Sequence, residues 1–136
     1  MLVAVNLLAV VVSGLVYWGL GAVWYAALFS KAYQASLNWS DAEKTAAKKN
    51  FPKALVVNLL TGLIAAYVLA QVVVLAGAGS AFDGMVWGGV VWIGFALTIL
   101  LNGIMFDRMP RGVGLIHMGF YLAAYVVLGG ILAVWR

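Results

Sequence analysis

The sequence has no cysteine and very little charge. Its 136 residues contain no Cys, which excludes disulfides, Cys-ligated metals and thiol–disulfide chemistry. Only 9% of the residues are charged and 66% are hydrophobic, whereas a soluble domain carries about 25% charged residues. Too few polar side chains remain to cover a surface that faces water. The composition therefore predicts an integral membrane protein with the lipid bilayer as its main surroundings.

Residues that carry chemistry are equally scarce. The chain has four acidic residues and one histidine, His117, and its only glutamate, Glu43, lies in a polar loop. Hydrolysis and acyl transfer need a positioned nucleophile, base or metal, and the apolar segments contain no such set. We therefore predict that the chain is not an enzyme and has no catalytic residue, cofactor or metal site.

Four apolar segments are long enough to cross a bilayer, at about residues 2–29, 54–76, 84–106 and 113–135. They predict a single all-α domain, a bundle of four transmembrane helices. The only long polar segment, residues 31–53, separates the first two spans. Ser40 and Glu43 have capping-box spacing, which predicts a short cytoplasmic helix at about residues 41–50. That helix is either a solvated loop element or a surface that reads lipid or docks a partner. Pro52 suits the first turn of span two.

The basic residues predict the orientation of the chain. Seven of the eight lie in the first and third loops, and the last closes the chain: Lys31, Lys44, Lys48, Lys49, Lys53, Arg108, Arg111 and Arg136. Because short cytoplasmic loops carry the excess of Lys and Arg, both termini are expected outside the cytoplasm of a cell (inner) membrane. The formal charge of +4 thus reflects topology, and no nucleic-acid partner is expected.

Polar side chains recur inside the spans. His117, Tyr121 and Tyr125 lie four residues apart and form one stripe on span four. Asn58 and Asn102 lie at a similar depth, near the inner ends of their own spans. We predict that these five residues form a polar cluster with the aromatic end of span one. His117 has three open roles: a hydrogen-bonded structural residue, a permeation or proton-relay group, or a metal or haem ligand shared between subunits.

Span two carries a second polar face. Tyr67 and Gln71 lie nearly opposite Asn58 and Thr61 on that helix. Polar residues within spans usually face protein or water, and one four-helix bundle has a single interior. Tyr67 and Gln71 therefore predict an oligomer face and a homo-oligomer, unless Gln71 is simply wetted at the outer end.

Three stretches resemble a known family. GAVWYAALFSKAY (residues 21–33), FDGMVWGGVVWIGF (residues 82–95) and LIHMGFYLAAYVVLGGILAVW (residues 115–135), with the spacing between them, resemble the small four-span bacterial membrane proteins of domain of unknown function family 1761. The resemblance implies the fold and a membrane location. It implies no reaction, ligand or functional residue.

Three classes of function are compatible with these features. The first is a channel-like or transporter-like conduit for a small solute or ion, assembled from several chains. The second is a non-catalytic scaffold or accessory subunit that binds a partner membrane protein. The third, a membrane enzyme, lacks the residues it would need. The two polar faces of span two favour the conduit.

Overall fold

The computed structural model describes residues 1–136 and is built from helices alone. Four helices are long and apolar enough to cross a membrane: α1 (Leu7–Leu28), α3 (Asp41–Leu75), α4 (Ala81–Phe106) and α5 (Arg111–Val134). A shorter helix, α2 (Ser30–Leu37), lies between α1 and α3. The predicted all-α bundle with four membrane-length helices is confirmed.

The polar segment begins its helix where its sequence predicts. The Ser40 hydroxyl accepts a hydrogen bond from the Glu43 N–H at 3.2 Å, and the Glu43 carboxylate accepts one from the Ser40 N–H at 2.7 Å. The helix then continues through Pro52 to Leu75 as a single α3 of 35 residues. The prediction of a separate loop helix at about residues 41–50 was therefore wrong. Pro52 lies inside the helix at an exposed position, so the carbonyl that loses its donor is not enclosed by protein.

The helix between the first two spans is α2, which covers part of the segment expected to be loop. It ends at Asn38, which adopts a left-handed conformation with φ of 50°. Asparagine is one of the few residues that enters this region without a large cost. The short α2 and the turn after it bring the chain back over the end of α1.

Side-chain caps also begin two other long helices, α1 and α4. The Asn6 side chain accepts hydrogen bonds from the N–H groups of Leu8 and Ala9 at 3.0 and 3.1 Å, so α1 begins at Leu7 and residues 1–6 are not helical. Ser80 caps α4 by accepting from the Asp83 N–H at 3.1 Å, and its hydroxyl donates to the Asp83 carboxylate at 2.9 Å. Asp83 therefore serves as part of a helix cap.

Helix α5 lies at the centre of the bundle and contacts each of the other four helices. Its contact with α4 depends on glycine. A methyl group at Gly84 would overlap the carbonyl oxygen of Gly129, and one at Gly88 would overlap that of Tyr125. Only glycine at these positions lets the two backbones approach so closely.

Helices α1 and α3 meet near their middles. A methyl group at Gly14 would overlap the Leu63 side chain, and one at Gly62 would overlap the Tyr17 ring. Next to this contact, Ala66, Leu128 and other side chains from α1, α3 and α5 form a fully buried layer. The two ends of the bundle are therefore separated by packed protein.

Candidate functional site

A half-open groove of about 900 Å³ lies at the end of the bundle where α1 ends and α3 and α5 begin. Side chains from α1, α2, α3 and α5 line it. The polar members include Tyr25, Tyr33, Lys44, Asn58, His117 and Tyr121, and we call it the aromatic groove. A cavity at the opposite end of the bundle measures about 30 Å³, too small for more than a water molecule or two. The aromatic groove is therefore the candidate site.

Phe120 closes the deep end of the aromatic groove and packs against Tyr17. Phe120 is 1% exposed and its ring meets that of Tyr17 edge to face, with centroids 5.2 Å apart. The Phe120 ring also contacts Tyr25 and Tyr121, at 5.4 and 5.2 Å. Aromatic pairs at these distances contribute about 0.5–1.5 kcal/mol each beyond their burial. The groove thus has a firm apolar floor.

His117 is held on the wall of this groove by tyrosines of α1 and α2. The Tyr25 hydroxyl and His117 Nδ1 share a hydrogen bond. The His117 ring also lies 5.5 Å from the Tyr25 ring and 5.7 Å from the Tyr33 ring. This environment fits the hydrogen-bonded structural role for His117, whose second nitrogen, Nε2, has no hydrogen-bond partner within the chain.

Two tryptophans fix the backbone on either side of His117. The Trp24 indole donates to the Ile116 carbonyl at 3.1 Å, and the Trp92 indole donates to the Met118 carbonyl at 2.9 Å. Each tryptophan opens a π-helical segment, Trp24–Leu28 in α1 and Trp92–Leu97 in α4. Such segments widen a helix locally and are frequent at functional sites. They are the main irregularities of the long helices, and both anchor the same turn of α5.

The structure brings together three of the five residues predicted to form a polar cluster. Asn58, His117 and Tyr121 all line the aromatic groove. Tyr125 does not line it, but its ring contacts that of Tyr121 with centroids 6.1 Å apart. The predicted stripe on α5 therefore exists, and its first two members reach the groove.

Asn102 does not join the cluster and is exposed on the outer face of α4. In a regular helix Asn102 would lie within about 40° of Gly88, which contacts α5. The π-helical segment Trp92–Leu97 intervenes and rotates the residues that follow it. The prediction for Asn102 was wrong for this reason, since a π-helical turn leaves no clear signature in the sequence.

The prediction that Gln71 and Tyr67 form an oligomer face does not agree with the structure. Gln71 is only 6% exposed, and its amide bonds both main-chain groups of Val3: it accepts from the N–H at 2.8 Å and donates to the carbonyl at 2.9 Å. Tyr67 is half-buried and packs against the core of the same chain. The second polar face of α3 thus finds its partner in the non-helical residues before α1.

The site contains one tyrosine, Tyr33, that was not predicted to be part of it. Tyr25 belongs to the aromatic end of span one, which was expected near the cluster, whereas Tyr33 belongs to the polar segment that was expected to be loop. The available signal is the spacing of eight residues between them, which places both on one helical face. Recognising α2 as a helix would have been needed to use it.

Charge is confined to the mouth of the aromatic groove. Lys44 and Lys48 are the charged residues that line it, and none of its 20 lining residues is acidic. Outside the membrane-length apolar segments, hydrogen bonds from the Ser40 main chain and side chain lower the pKa of Glu43, which is fully exposed. No group of three or more His, Cys, Asp or Glu side chains is placed to hold a metal ion.

Comparison with protein families gives a match over most of the chain. A family model described as "Protein of unknown function (DUF1761)" matches residues 8–133, nearly the whole chain. No curated protein and no solved structure matches the chain. The match covers all four long helices except Leu7 and Val134 at their ends, and it covers every residue that lines the aromatic groove.

Proposed function

The chain belongs to DUF1761, a family of proteins of unknown function, and we propose that it is an integral membrane protein that binds a small amphipathic molecule in the aromatic groove. The volume and the lining of the groove are the observations that support this proposal. Its volume of about 900 Å³ lies within the range of about 300–1,000 Å³ typical of small-molecule sites. Thirteen of its 20 lining residues are hydrophobic, as such sites require.

The polar groups inside the groove are few and suited to orient a ligand. The Asn58 amide and His117 Nε2 take part in none of the hydrogen bonds within the chain. Asn58 lies ten residues beyond Lys48, or about 15 Å further along the helix axis. A bound molecule would therefore meet charged groups at the mouth, amide and imidazole groups about three turns deeper, and aromatic rings beside them.

The groove offers a way in from the bilayer. Trp18, Ala22 and Ala26 of α1 line it and are exposed, as is Ala54 of α3. These residues border the seam where α1 and α3 separate beyond their contact at Gly14 and Gly62. An apolar tail could enter through this seam and keep its polar end at the mouth.

The conduit favoured from the sequence receives less support. Its argument was the second polar face of α3, and Gln71 satisfies that face within one chain. Ala66, Phe120 and Leu128 are each at most 1% exposed and block the path between the two ends. Ligand binding in the groove is therefore the function that the geometry supports best.

A test uses two neighbouring alanines of α1. Ala26 lines the aromatic groove and Ala27 does not, although both are exposed. Delipidated protein would be titrated with a monoacylglycerol and followed by native mass spectrometry. We expect one bound molecule per chain, loss of binding in Ala26→Phe, which fills the groove, and retention in Ala27→Phe. Equal binding by both variants would place the ligand elsewhere and overturn the proposal.

A second candidate function is binding of a partner chain on α4. Only 11% of the most apolar part of α4 is buried, against 33–39% for the other three long helices. The exposed Asn102 amide takes part in no hydrogen bond within the chain, and an unpaired polar group in hydrocarbon costs several kcal/mol. A second copy would bring its own Asn102 to the same surface, in keeping with the expected homo-oligomer.

The substitution Asn102→Leu tests this candidate. Ile99→Leu is the control, because it changes an exposed residue of the same helix that is already apolar. If the chains associate through α4, Asn102→Leu should lower the oligomer fraction measured by mass in mild detergent. A wild-type protein with the 14.5 kDa mass of one chain would remove the candidate.

We further propose that the mouth of the groove faces the cytoplasm and both termini face out. Seven of the eight basic residues lie at this end of the bundle. Because the chain has no native cysteine, single cysteines introduced at Ser36, Lys48 and Gly79 can be labelled individually. We expect an impermeant reagent added outside intact cells to label only the cysteine introduced at Gly79. Labelling of the cysteines introduced at Ser36 and Lys48 under the same conditions would show that the orientation is the opposite one.

A further inference from the structure

The mouth of the aromatic groove concentrates positive charge and hydrogen-bond donors. Lys44 and Lys48 line it from α3, and Ser30, Tyr33 and Gln34 line it from α2. None of the 20 lining residues is acidic. The hydroxyl and amide groups of the three α2 residues are not used in hydrogen bonds within the chain. The mouth therefore presents donors and cations that have no partner in the protein.

The continuity of α3 places the two lysines above the groove. Lys44, Lys48, Phe51, Leu55 and Asn58 all line the groove, and their spacing of three or four residues keeps them on one face of the helix. Residues four apart on a helix have Cβ atoms about 5–6 Å apart, so both ammonium groups can reach one anionic group. A separate loop helix, as first predicted, would leave this alignment undefined.

The acidic residues of the chain do not neutralise this pair within the groove. The Glu43 carboxylate is bonded to the Ser40 N–H. Asp83 caps α4 at the opposite end of the bundle, and Asp107 follows the end of α4. Asp41 lies one turn before Lys44, in the first turn of α3, and does not line the groove.

We infer that the ligand of the aromatic groove is an anionic amphiphile drawn from the bilayer, with its headgroup at Lys44 and Lys48 and its hydrocarbon tail against the aromatic floor. The inference rests on the proposed function and adds the chemical class of the ligand. From Lys44 to Asn58 the groove face of α3 extends about 21 Å along the helix axis. That length accommodates a headgroup and a substantial part of an extended chain.

The site also provides its own reporters. Trp39 lines the mouth and Trp18 lines the inner part, and both are partly exposed. A tail brominated near its end should quench Trp18, and one brominated beside the headgroup should quench Trp39. Trp18→Phe and Trp39→Phe assign each signal to its residue.

The test compares three amphiphiles of equal chain length on protein in nanodiscs of neutral lipid: an alkyl phosphate, a fatty acid and a monoacylglycerol. Each lysine near the membrane surface contributes about 1 kcal/mol toward an anion, so two correspond to about thirtyfold in affinity. We expect both anions to bind about thirtyfold more tightly than the monoacylglycerol. Lys44→Gln combined with Lys48→Gln should abolish the preference.

A charge-matched control separates the site from the general potential of the surface. Lys49 and Lys53 belong to the same helix and do not line the groove. Lys49→Gln combined with Lys53→Gln should keep the preference for anions. If both double variants lose the preference for anions equally, or the wild type binds all three amphiphiles with the same affinity, the inference is overturned but binding in the groove is not. If Ala26→Phe also leaves binding unchanged, the proposed function is overturned as well.

Discussion

Gln71 offers the sharpest test of how the end of the bundle opposite the aromatic groove is held together. Its side chain reaches the non-helical residues before α1 and bonds both main-chain groups of Val3, at 2.8 and 2.9 Å. We consider Gln71→Met, since methionine has nearly the same length and volume and can make neither bond. The change therefore isolates the hydrogen bonds from packing.

The expected loss in the free energy of unfolding follows from the two hydrogen bonds. Each typical hydrogen bond contributes about 0.5–1.5 kcal/mol net, so Gln71→Met should lower the free energy of unfolding by about 1–3 kcal/mol. Val3 is only half-buried, so its freed N–H and carbonyl can turn to water. The cost should therefore stay within this range.

Two measurements check the result: unfolding in a denaturant series in mild detergent, and hydrogen exchange of the Val3 amide. We expect lower stability, faster exchange at Val3 and an unchanged oligomeric state. Ile99→Leu, on the exposed face of α4, should change none of the three. Unaltered exchange at Val3, or a loss of oligomer with unaltered stability, would refute the assignment of Gln71 to the interior of one chain.

Three further predictions follow from local geometry. Gly88→Ala should lower the melting temperature because its methyl group would overlap a carbonyl oxygen of α5, whereas Gly89→Ala, with open space around it, should be neutral. Tyr25→Phe and His117→Ala should each destabilise the fold, and the double variant should lose less than their sum by about 0.5–1.5 kcal/mol, since they share one hydrogen bond. The lowered pKa of Glu43 stabilises the start of α3 above its ordinary value of 4.5. That contribution should be lost as the pH falls through the lowered value, and amide chemical shifts of the first turn should report it, with Glu43→Gln showing no such pH dependence.

Features encoded within a few residues could be predicted from the sequence. The four long apolar segments and the pairing of Ser40 with Glu43 depend on local composition and spacing, and the structure confirms both. The Ser80–Asp83 cap before α4 belongs to the same class. In each case the two partners lie within one turn of helix, so the spacing of the residues in the sequence is enough to predict their contact.

Features that depend on distant partners could not be predicted in this way. Gln71 and Val3 are 68 residues apart, and the sequence pattern showed only that Gln71 needs a partner. Asn102 was assigned to the cluster from its depth near the end of its span, which does not fix the face it lies on, and the π-helical segment Trp92–Leu97 changes that face. For the same reason only part of the candidate site could be predicted. The stripe of His117 and Tyr121 lies within α5, whereas Tyr33 comes to the site from α2, a helix that was not predicted.

Pro52 links the fold to the proposed ligand. It interrupts the hydrogen bonding of α3, since the Lys48 carbonyl has no N–H to accept four residues later. In hydrocarbon such a loss costs several kcal/mol, but at a wet surface water supplies the missing donor. We therefore propose that Lys48 lies at the level of the lipid headgroups. The mouth of the aromatic groove is then at the depth where an anionic headgroup would lie, with Phe51 and Ala54 at the start of the apolar path below it.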